Sequence, residues 1–320
     1  EAELALARLA WKLPGSIVNG LDGMATDCQT RGFELDARFL IRALVAVSTR
    51  QSRFKDLKAF WKQPAADIES DWQKTEQGLE LALDFVEGNI GIPGSAFLAS
   101  HLSLIPMTVV FSNRDHLSGE EEKTLRHWFL LANAFSRYVG ATDSKLTADL
   151  SSLGEKCENL NGPLELLLHD MRGEPKINAS DLERASMNSP FFPLAYLAVI
   201  RKDAKDWFRG IKIRRDSFSE DQQVEFHHIF PKKHLNERNV DRFLRDEIAN
   251  IAFLGQKANR KILDRKPIDY LSEIADNDPD RLKAQFVPMD RKLWELDCFD
   301  DFLIQRRKNL AQAMNKVLDG

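Results

Sequence analysis

Three of the seven histidines, His227, His228 and His234, fall within eight residues in the segment VEFHHIFPKKHL. The first two are adjacent in a short apolar run, and neighbouring side chains of a β-strand point to opposite faces. One imidazole can then hold a divalent metal through a ring nitrogen while the other, on the opposite face, accepts a proton from water. Downstream lie Asn250 and Asn259, nine residues apart. An amide oxygen is a neutral hard ligand suited to Mg²⁺ or a similar ion, and an Asn at a turn also holds loop backbone through its side-chain hydrogen bonds. Taken singly, a histidine pair in an apolar strand is more often structural, and an Asn at an element edge is more often a cap. Their order and spacing together point to hydrolytic chemistry. Glu225, two residues before His227, shares its strand face and either orients that imidazole or stands as a solvated or salt-bridged carboxylate. His234 follows the Pro231 turn and reads as a surface group or a minor phosphate contact.

The elements that must carry these residues are short. VEFHHIF (224 to 230) and NIAFLG (250 to 255) have strand character, and KANRKIL then resumes helical spacing, so the region reads strand, loop, strand, helix. The first two-thirds of the chain reads as helices. ELDARFLIRALVAV (34 to 47) and DWQKTEQGLELALDFVEGNI (71 to 90) each place apolar residues on one face. SGEEEKTLRHWFLLANAFSRYV (118 to 139) opens with a capping box, Ser118 with Glu121. Pro106 limits LSLIPMTVVF (102 to 111) to a helix start or a short break. The spacing makes Trp128 and Phe129 core residues, and Arg137, Tyr138, Asp143 and Lys145 read as a helix-helix junction in preference to a substrate-binding group. NSPFFPLAYLAVIRKDAKDWF (188 to 208) is apolar in its middle, as a buried helix is, and DDFLIQRRKNLAQAMNKVL (300 to 318) is an amphipathic helix. The expected organisation is a helical scaffold or regulatory region over 1–200 and a catalytic region over 201–320.

At 320 residues the chain is long enough for two domains. Its 43% hydrophobic and 29% charged residues are ordinary for a soluble globular protein, and no run of about 18 apolar residues is present, which excludes a membrane protein. The opening EAELALARLAWKL lacks a basic and an apolar signal-peptide region, and it begins with Glu1, so the chain is read as part of a longer protein. Cys28, Cys157 and Cys298 are far apart, which argues against a structural zinc site and a disulfide framework and for a cytoplasmic location. The net charge of -4 hides an asymmetry: residues 201–270 hold 17 Lys/Arg against 12 Asp/Glu, leaving -9 for the rest. A basic surplus beside the histidines suits a nucleic-acid partner.

HHIFP, followed by Asn250 and then by Asn259 with Arg260 and Lys261, resembles the HNH nuclease motif, the ββα-metal finger. The run from HHIFPKKHL through NIAFLGQKANRKILDRKPIDYL resembles the C-terminal nuclease domain of the GmrSD-type, modification-dependent restriction endonucleases. The likeness extends to WFLLANAFSRYVGATDSKLTADL (128 to 150) and LWELDCFDDFLIQRRKNLAQAMNKVL. It implies a mainly α fold with a small ββα-metal element in the C-terminal part. It implies His227 and Asn259 as metal ligands, His228 as general base and Asn250 as the residue that fixes the loop. The last ligand position holds Asn where the motif has His. Members of this family carry an Asp-Gly-Gln-Gln-Arg motif in an N-terminal nucleotide-binding domain. Here Asp22-Gly23 continues as Met-Ala-Thr, so that domain is expected to be absent from this chain.

The implied activity is metal-dependent hydrolysis of DNA phosphodiester bonds, with Mg²⁺ or Mn²⁺ as cofactor and double-stranded, possibly modified DNA as partner, in defence against foreign DNA. RNA is open to the same site chemistry. Lys232, Lys233, Arg260 and Lys261 would contact phosphates flanking the cut. The alternative expectation is a non-catalytic DNA- or protein-binding module on a degenerate HNH fold.

Overall fold

The computed structural model describes residues 5, 7–9, 12, 16–53, 57–140, 142–154, 160–169, 176–213 and 224–320. Most of the opening EAELALARLAWKL segment, and Cys157, lie outside the described residues. The chain divides into two compact units, Glu1–Pro175 and Lys176–Gly320, and is mainly helical, with one two-stranded sheet among the described residues. No helix among the described residues is long and apolar enough to cross a membrane.

The first unit has no strand among its described residues; its α-helices there are α1 (Ser16–Thr30), α2 (Ala37–Thr49), α3 (Lys58–Lys62), α4 (Ala65–Asp84), α5 (Leu104–Phe111), α6 (Gly119–Ala134), α7 (Thr142–Leu153) and α8 (Asn161–His169). Every residue of α5 is buried, and α2, α4 and α7 pack around it. Pro106 falls in its first turn, where a missing amide hydrogen costs no helical bond. Gly78 of α4 lies against the α5 backbone so closely that a Cβ there would stand 2.5 Å from the Thr108 carbonyl. The Ser118 and Glu121 capping box forms as expected: the Glu121 carboxylate accepts from the Ser118 amide at 2.8 Å. Trp128 and Phe129 are fully buried. Arg137 and Tyr138 both donate to the buried carboxylate of Asp149 on α7, which makes this junction a sealed ionic contact.

The second unit begins earlier than position 200. Its elements are α9 (Phe192–Arg201), β1 (Val224–His228), α10 (Lys232–Glu237), α11 (Arg242–Arg245), β2 (Ile251–Gly255), α12 (Gln256–Ile262), α13 (Pro267–Asn277), α14 (Asp280–Lys283) and α15 (Phe299–Asp319). The reason for the early division is packing. α9 buries all but its last two residues, lies along α15 and sets Phe192 against Phe226 and Phe253 of the sheet, with ring centroids 5.1 and 5.6 Å apart. The stretch before it also pairs into the unit, where Ile248 donates to the Ala185 carbonyl at 2.7 Å.

β1 and β2 are antiparallel, with His227 opposite Ala252 and His228 opposite Ile251, and α12 follows β2 directly. Both expected strands and the helix after them are present, but the connection between the strands, expected as a loop, carries the short helices α10 and α11, with Asn250 in the short 3₁₀ turn (Ile248–Asn250) just ahead of β2. Gln285 binds both backbone groups of Phe253 at 2.8 Å, pairing a strand edge that a third strand would otherwise cover.

Candidate functional site

The alternation of β1 divides its polar side chains. Phe226 and His228 point one way, Glu225 and His227 the other, and α12 lies beside the strand pair so that Asn259 meets the second group. His227 Nδ1 and Asn259 Oδ1 are 2.6 Å apart, and the Asn259 amide group donates to the Glu225 carboxylate. His227 is 5% exposed and its ring is walled by Trp207 and Tyr270, with centroids 6.5 and 6.0 Å away. Burial lowers its pKa to about 4 against the weaker upward pull of the Asn259 contact, so the ring is neutral at pH 7. Its Nε2 is buried with no hydrogen-bond partner among the described residues.

His228 is less buried. Its Nε2 lies 3.0 Å from the Asp246 carboxylate, which also receives Lys232 Nζ at 2.9 Å. A carboxylate can only accept, so the proton of neutral His228 sits on Nε2 and the lone pair on Nδ1. Burial and the nearby Lys232 charge lower the His228 pKa, and Asp246 only partly offsets them. Asp246 in turn is held below the ordinary carboxylate range: burial raises it, but hydrogen bonds from Lys232 and His228 outweigh that.

Asn250 is fully buried and ties two other backbone segments, at Phe230 and at Arg245, to its own. Its oxygen accepts from the Phe230 amide at 2.8 Å, and its NH₂ group donates to the carbonyls of Phe230 at 3.2 Å and Arg245 at 2.9 Å. These bonds set the turn that follows His228 against the residue next to Asp246. Pro231 opens α10 directly afterwards, and Tyr270 closes the loop from behind by donating to the Ile229 carbonyl at 2.7 Å.

Two further buried ionic groups brace the loop. Glu247 takes a two-pronged bond from Arg307 of α15 at 2.6 and 2.7 Å. Arg306, 1% exposed, donates to the carbonyls of Ala249, Ile251 and Gln285 at 2.9, 2.7 and 3.2 Å. Burial lowers the Arg306 pKa to about 9, so the guanidinium is still charged at neutrality and the three carbonyl dipoles face that charge.

The four cations named as phosphate contacts are exposed and differ in their partners. Lys232 is bound to Asp246, and Lys233 lies 3.8 Å from Asp264. Lys261 stands over the Phe208 ring at 4.2 Å and 3.5 Å from Glu273, while Arg260 has no ion-pair partner among the described residues. Among the described residues His234 makes no hydrogen bond to another histidine; its Nε2 is bonded to the Asp264 carbonyl at 2.7 Å. A cavity of about 340 Å³ between Trp207, Phe208, Lys261 and Arg281 backs onto the wall of His227. A larger one of about 800 Å³, between α9 and α15, is lined by none of the site residues.

Sequence reasoning named neither Asp246 nor Gln285. Asp246 is 18 residues from His228 with no strand or helical spacing to connect them, and only the folded loop makes them neighbours. As for a metal, His227 Nδ1 and Asn259 Oδ1 meet each other at hydrogen-bond distance, so they would become a two-donor set only once that contact opens and Nδ1 gives up its proton, leaving further positions to water and phosphate. Among the described residues there is no cluster of three or more His, Cys, Asp or Glu arranged to hold an ion.

No family model matches the chain. It is similar to the uncharacterized protein MJ0686 of Methanocaldococcus jannaschii, at 23% identity over 148 residues, which is 46% of this chain and 24% of that protein. The chain thus matches about a quarter of the length of that relative.

Proposed function

We propose that the second unit is a metal-dependent HNH-type endonuclease that hydrolyses DNA phosphodiester bonds. The observation that carries this reading is the convergence of His227 Nδ1 and Asn259 Oδ1 to 2.6 Å on adjoining elements, with neutral His228 held on the other strand face by Asp246. His227 and Asn259 would hold the ion, Mg²⁺ or Mn²⁺. Bound there, the ion supplies neutralising charge to the scissile phosphate and its leaving oxygen.

The remaining work falls to side chains. His228 takes a proton from the attacking water at Nδ1, while Asp246 keeps the Nε2 proton in place and stabilises the imidazolium that forms. Asn250 keeps the His228 loop fixed through its three backbone bonds, so the base does not have to be ordered at each turnover. Arg260, Lys261, Lys232 and Lys233 hold flanking phosphates without reading bases. A role in defence against foreign or modified DNA, alongside a nucleotide-sensing domain elsewhere in the same protein, is part of the proposal and rests on the resemblance given above.

The test is incubation of supercoiled plasmid with the protein and Mg²⁺ or Mn²⁺, beside His228→Ala. Nicking or linearisation by the wild type alone supports the reading. Equal cleavage by both proteins overturns the assignment of the base, and DNA binding without cleavage by the wild type favours a binding module.

A further inference from the structure

We infer that Glu225 is a positioning residue for the His227 and Asn259 pair: its carboxylate turns the Asn259 amide so that the oxygen, and not the NH₂ group, meets His227 Nδ1. The inference deepens the proposed function, since an amide offers a cation only its oxygen.

The argument is one of donors and acceptors. Glu225 and His227 are two residues apart on β1 and therefore share a face, and α12 brings Asn259 against both. An ionised carboxylate only accepts hydrogen bonds, so the group that Asn259 gives to Glu225 Oε2 must be its NH₂. The amide oxygen is thereby committed to the opposite side, 2.6 Å from His227 Nδ1. Oxygen cannot donate, so in the metal-free protein Nδ1 carries the proton and the buried Nε2 is a bare lone pair, in keeping with its lack of a partner among the described residues. A turned amide would face its oxygen toward the Glu225 carboxylate, setting two acceptors against each other in a half-buried place. Glu225 makes no other hydrogen bond or ion pair among the described residues, so this orientation is what its carboxylate does in the fold. Outer groups that orient a ligand in this way typically change metal affinity by about 10–100-fold.

Two measurements on the full chain test this. The first is the ¹⁵N spectrum of labelled histidine in metal-free protein. His227 of the wild type is expected to show a protonated Nδ1 and an unprotonated Nε2. Glu225→Leu, which has no acceptor, and Glu225→Gln, which keeps the volume but allows either amide pairing, are both expected to move His227 toward the Nε2-protonated form. A wild type protonated on Nε2, or a folded variant with an unchanged tautomer, overturns the inference. The second is Mn²⁺ titration followed by electron paramagnetic resonance. Glu225→Leu should weaken binding about 10-fold beside Asn259. It should have no such effect in the Asn259→Asp background, because a carboxylate presents oxygen in either orientation. An equal loss in both backgrounds points to a general structural role and overturns the inference. If the wild type binds no Mn²⁺, the metal-dependent reading fails while the histidine spectrum still decides the role of Glu225.

Discussion

The Asp246 carboxylate accepts from His228 Nε2 at 3.0 Å across an 18-residue separation, so the carboxylate at the end of α11 decides which nitrogen of the β1 histidine is free. Asp246→Ala is expected to lower the cleavage rate by about 10-fold or more with DNA affinity nearly unchanged, while His228→Ala removes about 10²–10⁴-fold. Steady-state kinetics on plasmid, with binding followed by fluorescence anisotropy, checks both. An Asp246→Ala protein of wild-type rate would show that the carboxylate does not orient the base.

His227 gives the metal-free fold a pH dependence. Its folded pKa, about 4, lies below the ordinary 6.5, so between those values the unfolded chain binds the proton and the folded one does not. Stability from this group is therefore full above pH 6.5 and falls as pH drops toward 4. At about 1.4 kcal/mol per unit, the loss amounts to about 3 kcal/mol across that window. Urea unfolding of chelator-treated protein at pH 7 and pH 4.5, beside His227→Asn, measures it. A pH difference as large in the variant as in the wild type contradicts the assignment.

Removing Arg307 strands the Glu247 carboxylate, which is fully buried and also accepts from the Arg184 amide at 2.9 Å. Arg307→Ala is expected to cost about 3–5 kcal/mol, because a buried charge loses its partner. Arg307→Met combined with Glu247→Leu should recover much of that. Denaturant midpoints of the two proteins decide, and a double variant no more stable than the single one would refute the account.

Gly78→Ala reverses the usual sign. In a helix interior Ala is favoured over Gly by about 1 kcal/mol, yet here the added carbon meets the Thr108 carbonyl at 2.5 Å and the Ser112 amide nitrogen at 2.7 Å, both backbone atoms. α4 and α5 must separate, so the melting temperature is expected to fall. A rise would mean the helices shift apart at little cost.

Arg260 and Lys232 should separate in their salt dependence. Arg260 has no ion pair to break among the described residues, so Arg260→Ala is expected to reduce the salt slope of DNA binding by about one, whereas Lys232 is already paired with Asp246 and its removal should change the slope less. Binding isotherms at several salt concentrations measure this, and equal slopes for the two variants would refute the ranking.

Much of the second unit was legible in the order of its residues. Short apolar runs around the histidines and Asn250 gave the two strands, and the return to helical spacing gave α12, because those signals are local. The Ser118 capping box is local too. The partners of the site were not legible for the opposite reason. Asp246, Gln285 and Arg306 reach their targets across 18, 32 and 55 residues, and no periodicity links the ends. Arg306 and Arg307 lie in the stretch read as an amphipathic helix, whose pattern does not single them out, yet both are buried. The early start of the second unit was hidden because an apolar run such as FPLAYLAVI announces burial but not the surface against which it is buried.

The bonds from Arg306 to the Ala249 and Ile251 carbonyls have a meaning for biosynthesis. β1 and β2 emerge from the ribosome well before α15, and until Arg306 follows them, two carbonyls on either side of Asn250 lack their cation. A nascent chain or a prematurely terminated one therefore holds all four site residues without the brace that fixes their loop. Closure of that loop therefore waits for a helix that lies more than 40 residues beyond β2.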